Sequence, residues 1–154
     1  MSISPGRTVI PSVEIVSTPS IHTPEEAGAY LRSLRQILRY LDVSDADLEK
    51  GQFRCDANVS VRRPGDTKLG TRTELKNLNS FRFVERAIAS EIRRQVEVLE
   101  GGGKIQQQTM HWDDRAGVAT PMRTKEQADD YRYFPDPDLP PLRVSPAMLE
   151  RIRA

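Results

Sequence analysis

The stretch GTRTELKNLN, Gly70 to Asn79, decides the reading of this chain. Arg72, Glu74 and Lys76 stand at alternate positions, so in a strand all three side chains point to one face. Thr71, Thr73 and Leu75 point to the other. One face then carries both signs of charge while the opposite face can pack. Such a face is a poor core and a good floor for a charged ligand. Its plain alternative is an exposed surface of cross-strand ion pairs.

The preceding run carries the partner strand. Phe53, Cys55, Ala57, Val59 and Val61 alternate with Arg54, Asp56, Asn58, Ser60 and Arg62. This period of two marks a strand with one apolar face. Arg63-Pro64-Gly65-Asp66 between the runs is a turn signal, so an antiparallel hairpin is expected. A turn centred near Asp66 sets Ser60 opposite Arg72, Asn58 opposite Glu74 and Asp56 opposite Lys76. A slip of one residue would turn charges onto the apolar face.

Around the hairpin the chain reads as alternating short strands and helices. Ser12 to Ser17 is an apolar run holding one acid, Glu14, and is expected to be a short strand. Thr23-Pro24-Glu25-Glu26 is a capping box with proline at the first helical position. The helix it opens is expected to end near Leu41. Phe81, Val84, Ala87, Ile88, Ile92, Val96 and Leu99 mark the buried stripe of a second helix, stopped by Gly101-Gly102-Gly103. Ile105 to Trp112 is expected to be a strand, with Val118 to Arg123 returning beside it. Thr124 to Gln127 resembles a capping box for a short helix ending near Asp130. Four prolines in Tyr131 to Leu142 exclude a regular helix or central strand there. Ser145-Pro146 opens a last helix.

Composition narrows the function classes. The chain has 154 residues, 29% of them charged, with a net charge of +1. A protein that coats nucleic acid along its whole surface would be more basic. The single cysteine, Cys55, excludes an intramolecular disulfide, and its place on the apolar face points to an inert thiol. No apolar run reaches the length of a membrane span, and the first residues lack a signal-peptide core, so a cytoplasmic protein is expected. There is no phosphate-binding Gly-Lys-Ser/Thr loop, no dinucleotide glycine fingerprint and no nucleophile elbow. With two histidines far apart, the chemistry expected is that of carboxylates, a hard cation and basic side chains, which suits phosphoryl transfer.

The strings FRCDANVSVR, GTRTELKNLNSFRFVERAI and DYRYFPDPDLPPL, in that order, resemble the B-subunit family of the aspartyl/glutamyl-tRNA amidotransferases. PSVEIVSTPSIHTPEEA and LRQILRYLDVSD resemble the segment preceding them. The resemblance implies an α+β fold, an antiparallel sheet with helices on one face, as part of a glutamine synthetase-like cradle. It implies residues 1–10 as an irregular lead-in, 11–144 as a partial catalytic domain, and 145–154 as the start of a following helix. It also implies ATP and magnesium, an amidase subunit and a small third subunit as partners, and aminoacyl-tRNA as substrate. The side-chain carboxylate of Glu-tRNA(Gln) or Asp-tRNA(Asn) would become an acyl phosphate, then be amidated by ammonia.

Glu14, at the acid of the family's EIVSEP-like string, is an expected metal ligand, with Glu74 the second candidate and Asp56 the third. Glu74, Lys76 and Arg72 are expected at the reaction, with Asp56, Asn58, Ser60 and Asn77 binding substrate or ATP. The chain departs from the family at Gly6 to Ser12, Thr18 and Ser20, and lacks the family's upstream Gly-Leu-Glu-x-His-like string. An internal fragment of the B subunit, inactive alone, is therefore expected. A non-catalytic module binding RNA or a partner protein remains as an alternative, as does the E-type subunit of the related archaeal amidotransferase.

Overall fold

A computed structural model describes residues 13–122 and 141–154. They belong to two compact units. One is Ser17–Thr124, and the other joins Met1–Val16 to Lys125–Ala154.

In the larger unit α1 spans Pro24–Tyr40, as its capping box requires. Thr23 Oγ1 accepts from Glu26 N at 3.1 Å, and the Glu26 carboxylate takes the Thr23 N–H at 3.3 Å. The hairpin strands are β1, Ala57–Val59, and β2, Thr73–Lys76. They are shorter than the alternation suggests, but the register is the expected one: Asn58 lies opposite Glu74, with Ala57 on Leu75 and Val59 on Thr73. The long helix α2, Phe81–Glu100, starts where the Ser80 hydroxyl accepts from Phe83 N. It ends at Gly101, and Gly102 then takes a φ of 77°. β3, Gln108–Asp113, and β4, Val118–Pro121, form a second antiparallel pair.

The sheet order is β1-β2-β3-β4, and β2 pairs with β3 in parallel. The domain is α+β, but its sheet is mixed where an antiparallel one was expected. The reason is connectivity. α2 carries the chain from the end of β2 back to the start of β3, and such a crossover makes adjacent strands parallel.

α2 packs against β1 and β4, and α1 packs on α2. The core joins Val59, Leu75, Met110 and Trp112 of the sheet to Leu78, Val84 and Ala87, with Ala27 and Leu31 from α1. Trp112 is core at 1% exposure. Phe53 meets Phe81 edge to face at 6.3 Å, and Arg86 lies 5.8 Å over the Trp112 ring.

Three expectations need correction. The lower half of α2 does not bury Val96 and Leu99, which are 37% and 41% exposed. It buries Glu91 and Gln95. The hydrophobic stripe misjudged this face because β1 and β2 present polar groups to it. Glu91 Oε1 accepts from Thr73 Oγ1 at 2.6 Å, from Gln95 Nε2 at 2.8 Å and from Arg94 Nη2 at 2.7 Å. Gln95 also donates to the Val59 carbonyl at 3.0 Å and accepts from Val61 N at 3.1 Å. Its amide thus stands in for a neighbouring strand where β1 ends. Second, residues 13–17 form no strand and are exposed, since no described strand pairs with them. Third, the sheet is mixed, as described.

In the other unit α3 spans Pro146–Arg153, capped by Ser145 as expected. The expected helix from Thr124 to Asp130 lies outside the described residues, as do Arg123 and Tyr131 to Pro140.

Candidate active site

The site is built on the sheet face turned away from the core. Period-two alternation in β2 buries Thr73 and Leu75 and leaves Glu74 and Lys76 partly exposed on the other side. Asn58 shares that face from β1, while Thr109 and His111 share it from β3, opposite Glu74 and Lys76 respectively.

Lys76 is the centre of the arrangement. Its Nζ lies 2.7 Å from Asp56 Oδ2 and 3.3 Å from Glu74 Oε1. The hydrogen bond to Asp56, with help from Glu74, raises the Lys76 pKa above its ordinary value against the opposing effect of burial, so the ammonium persists at neutral pH. Two carboxylates around one ammonium leave the patch with a net negative charge. The other Glu74 oxygen, Oε2, accepts from Thr109 Oγ1 at 2.9 Å.

Asn77 follows at a φ of 67°, a left-handed conformation that asparagine tolerates better than most residues. Its Nδ2 donates to the Trp112 carbonyl at 3.1 Å and lies 3.2 Å from His111 Nε2. Asn77 therefore ties the end of β2 to β3. Beside it an open cleft of about 530 Å³ runs under the loop before β1, lined by Arg54, Cys55, Asp56, Asn77 and Leu78 among others. Burial, with a smaller contribution from Asp56, pushes the Cys55 thiol up to about 11, in keeping with an inert cysteine.

The structure thus brings Asp56, Asn58, Glu74 and Lys76 onto one face. Ser60 lies just beyond the last ladder pair, Val59 with Thr73. Arg72 is exposed and has no ion pair with another described residue. Glu14 is exposed on the irregular run 13–17. Thr109 was missed by sequence reasoning. A helix between two strands is the signal that could have found it, because it implies a parallel β2–β3 pair and sets Thr109 across from Glu74.

A family model described as the GatB/GatE catalytic domain matches residues 1–150. The chain belongs to this family. It is 58% identical over 148 residues to the aspartyl/glutamyl-tRNA(Asn/Gln) amidotransferase B subunit of Moorella thermoacetica, covering 96% of this chain and 31% of that protein. The B subunit of Chlorobaculum tepidum is 56% identical over 151 residues, covering 98% and 32%. That of Thermodesulfovibrio yellowstonii is 55% identical over 148 residues, covering 96% and 31%. The chain therefore spans about a third of the length of the curated relatives it matches. In this GatB/GatE catalytic domain no three His, Cys, Asp or Glu side chains gather as a metal cluster among the described residues. No described helix is long and apolar enough to cross a membrane.

Proposed function

We propose that this chain supplies part of the activating site of a tRNA-dependent amidotransferase, working as a segment of the B subunit with an amidase subunit and a small third subunit. The substrate is the side-chain carboxylate of Glu-tRNA(Gln) or Asp-tRNA(Asn). A carboxylate repels nucleophiles, and phosphorylation by ATP gives it a good leaving group. The observation that carries this reading is the partly exposed Asp56–Lys76–Glu74 group on a sheet face beside an open cleft. Lys76 brings an ammonium to a reaction that gathers anionic oxygens, and the surplus negative charge of its two carboxylates is what a divalent cation would offset. Arg72, exposed and near in sequence, would meet phosphate or substrate carboxylate. Asn58 and Ser60 supply hydrogen bonds for orientation, while Asn77, engaged with Trp112, His111 and Asn79, holds the strand ends in place.

Magnesium fits the donor chemistry here, because Glu74 and Asp56 offer hard carboxylate oxygens. Bound magnesium would neutralise phosphate charge. Glu74 would hold it. Lys76 already takes part of both nearby carboxylates, so further oxygens would come from the nucleotide phosphates, as magnesium commonly arranges.

The test is hydroxylamine trapping of the activated carboxylate in the assembled amidotransferase carrying the full-length B subunit. Glu74→Gln keeps the size and removes the charge. It is expected to abolish ATP-dependent hydroxamate formation while glutamine hydrolysis continues. Undiminished hydroxamate would overturn the assignment.

A further inference from the structure

We propose that Thr109 is a positioning residue for the activation step, holding the Glu74 carboxylate in its working orientation from the neighbouring strand. The proposal rests on the reading of Glu74 given above.

Two partners hold Glu74, and they pull in different directions. Lys76 lies two residues along the same strand and takes Oε1 at 3.3 Å. That ammonium is shared, and its shorter contact, 2.7 Å, is to Asp56. Lys76 alone therefore fixes Glu74 weakly. Thr109 lies across the sheet, opposite Glu74 in the parallel ladder, and donates to Oε2 at 2.9 Å. One contact acts along the strand and the other across it, so together they set the plane of the carboxylate. Thr109 is well suited to this. Its β-branched side chain has few χ1 states, and its backbone is held by the β2–β3 ladder. A carboxylate with a third of its side chain exposed would otherwise sample several rotamers. Reactions of this kind lose rate steeply when a charged group is slightly misplaced.

The role differs from that of the buried hydroxyl of Thr73, which meets Glu91 beneath the sheet. Thr73 serves the core, and Thr109 serves the open face.

The experiment compares Thr109→Val, which keeps the shape and removes the hydroxyl, with Thr109→Ser, which keeps the hydroxyl. Both are made in the full-length B subunit within the assembled amidotransferase. Thr109→Val is expected to lower kcat for ATP-dependent amidation by about tenfold with KM for ATP changed less than about twofold. Thr109→Ser is expected to restore most of kcat. Glu74→Asp withdraws the carboxylate by one methylene, so adding Thr109→Val to it is expected to cost little more, a non-additivity that marks action through Glu74. Thermal midpoints of the two Thr109 variants should agree within about 2 °C of the parent. Full kcat in Thr109→Val, failure of the serine to rescue, or additive losses on the Glu74→Asp background would each overturn the proposal. Should Glu74→Gln leave hydroxamate formation intact, the functional reading fails. Should Glu74→Gln abolish it while Thr109→Val is neutral, only the role of Thr109 fails.

Discussion

Two carboxylate clusters lie on opposite faces of β2, built from similar groups and set to different ends. On the core side Glu91 is buried, and its two oxygens accept from Thr73, Gln95 and Arg94. On the open side Glu74 shares Lys76 with Asp56 and takes one hydroxyl, from Thr109. The first cluster is saturated. A buried network in which each group is partnered rigidifies a fold and leaves little capacity for a ligand. The second is partly solvated, with oxygens still able to exchange partners. On the proposed reading, the difference teaches that a charged residue's exposure and unspent hydrogen-bonding capacity, more than its identity, separate a structural from a chemical role.

The largest expected effect comes from breaking the saturated side. Gln95→Leu strands the Val59 carbonyl and the Val61 N–H and leaves Glu91 with one donor fewer. Each stranded buried group costs about 1–3 kcal/mol, so a loss of about 3 kcal/mol is expected. Urea unfolding of this protein followed by the fluorescence of Trp112, its only tryptophan, measures it. A loss below about 1 kcal/mol would show that the amide does not carry the end of β1.

A smaller effect is expected from acid. Burial pushes the Glu91 pKa up, but the hydrogen bonds from Arg94, Thr73 and Gln95 together outweigh it and the net value is lowered. The folded state thus holds Glu91 ionised where the unfolded chain would take up a proton. Its contribution is complete above the ordinary glutamate value of about 4.3 and drains as the pH falls through the lowered folded value. Urea midpoints should decline on the acid side, and Glu91→Gln should flatten that decline. An equally steep decline in the variant would assign it to other carboxylates.

The smallest effect concerns the cleft beside the open cluster. Cys55, with its thiol pushed up to about 11, should alkylate slowly in the folded protein. At pH 8 iodoacetamide should react at least about tenfold faster with the urea-unfolded chain. Equal rates would mean that the cleft wall is solvated around the sulfur.

Much of this fold is legible in the sequence, because local chemistry fixes it. Thr23 and Glu26 mark the start of α1, Ser80 that of α2, and Gly102 takes the left-handed turn after it. The hairpin register follows from alternation alone, since a one-residue slip of β2 would turn Leu75 outward and set Glu74 on the apolar face beside Val59. Three features were not legible. The parallel β2–β3 pair depends on where α2 returns the chain. The burial of Glu91 and Gln95 depends on backbone groups at the end of β1, which no helical stripe reveals. Val13 to Ser17 reads as a strand by composition, yet a strand exists only where a neighbour supplies its ladder. Period and register alone place Asp56, Asn58, Glu74 and Lys76 on one face. Thr109 waited on the parallel pairing.

The contrast between the two clusters is tested most directly by the thermal midpoint of Glu91→Gln set against that of Glu74→Gln in this protein. Glu91→Gln removes the charge from a buried, fully partnered site and is expected to cost about 2–3 kcal/mol, lowering the midpoint by several degrees. Glu74→Gln removes it from a partly exposed pair, where ion pairs are worth about 1 kcal/mol or less, and should move the midpoint by no more than about 2 °C. The reverse order, or equal losses, would contradict the division of the two faces into a structural and a chemical cluster.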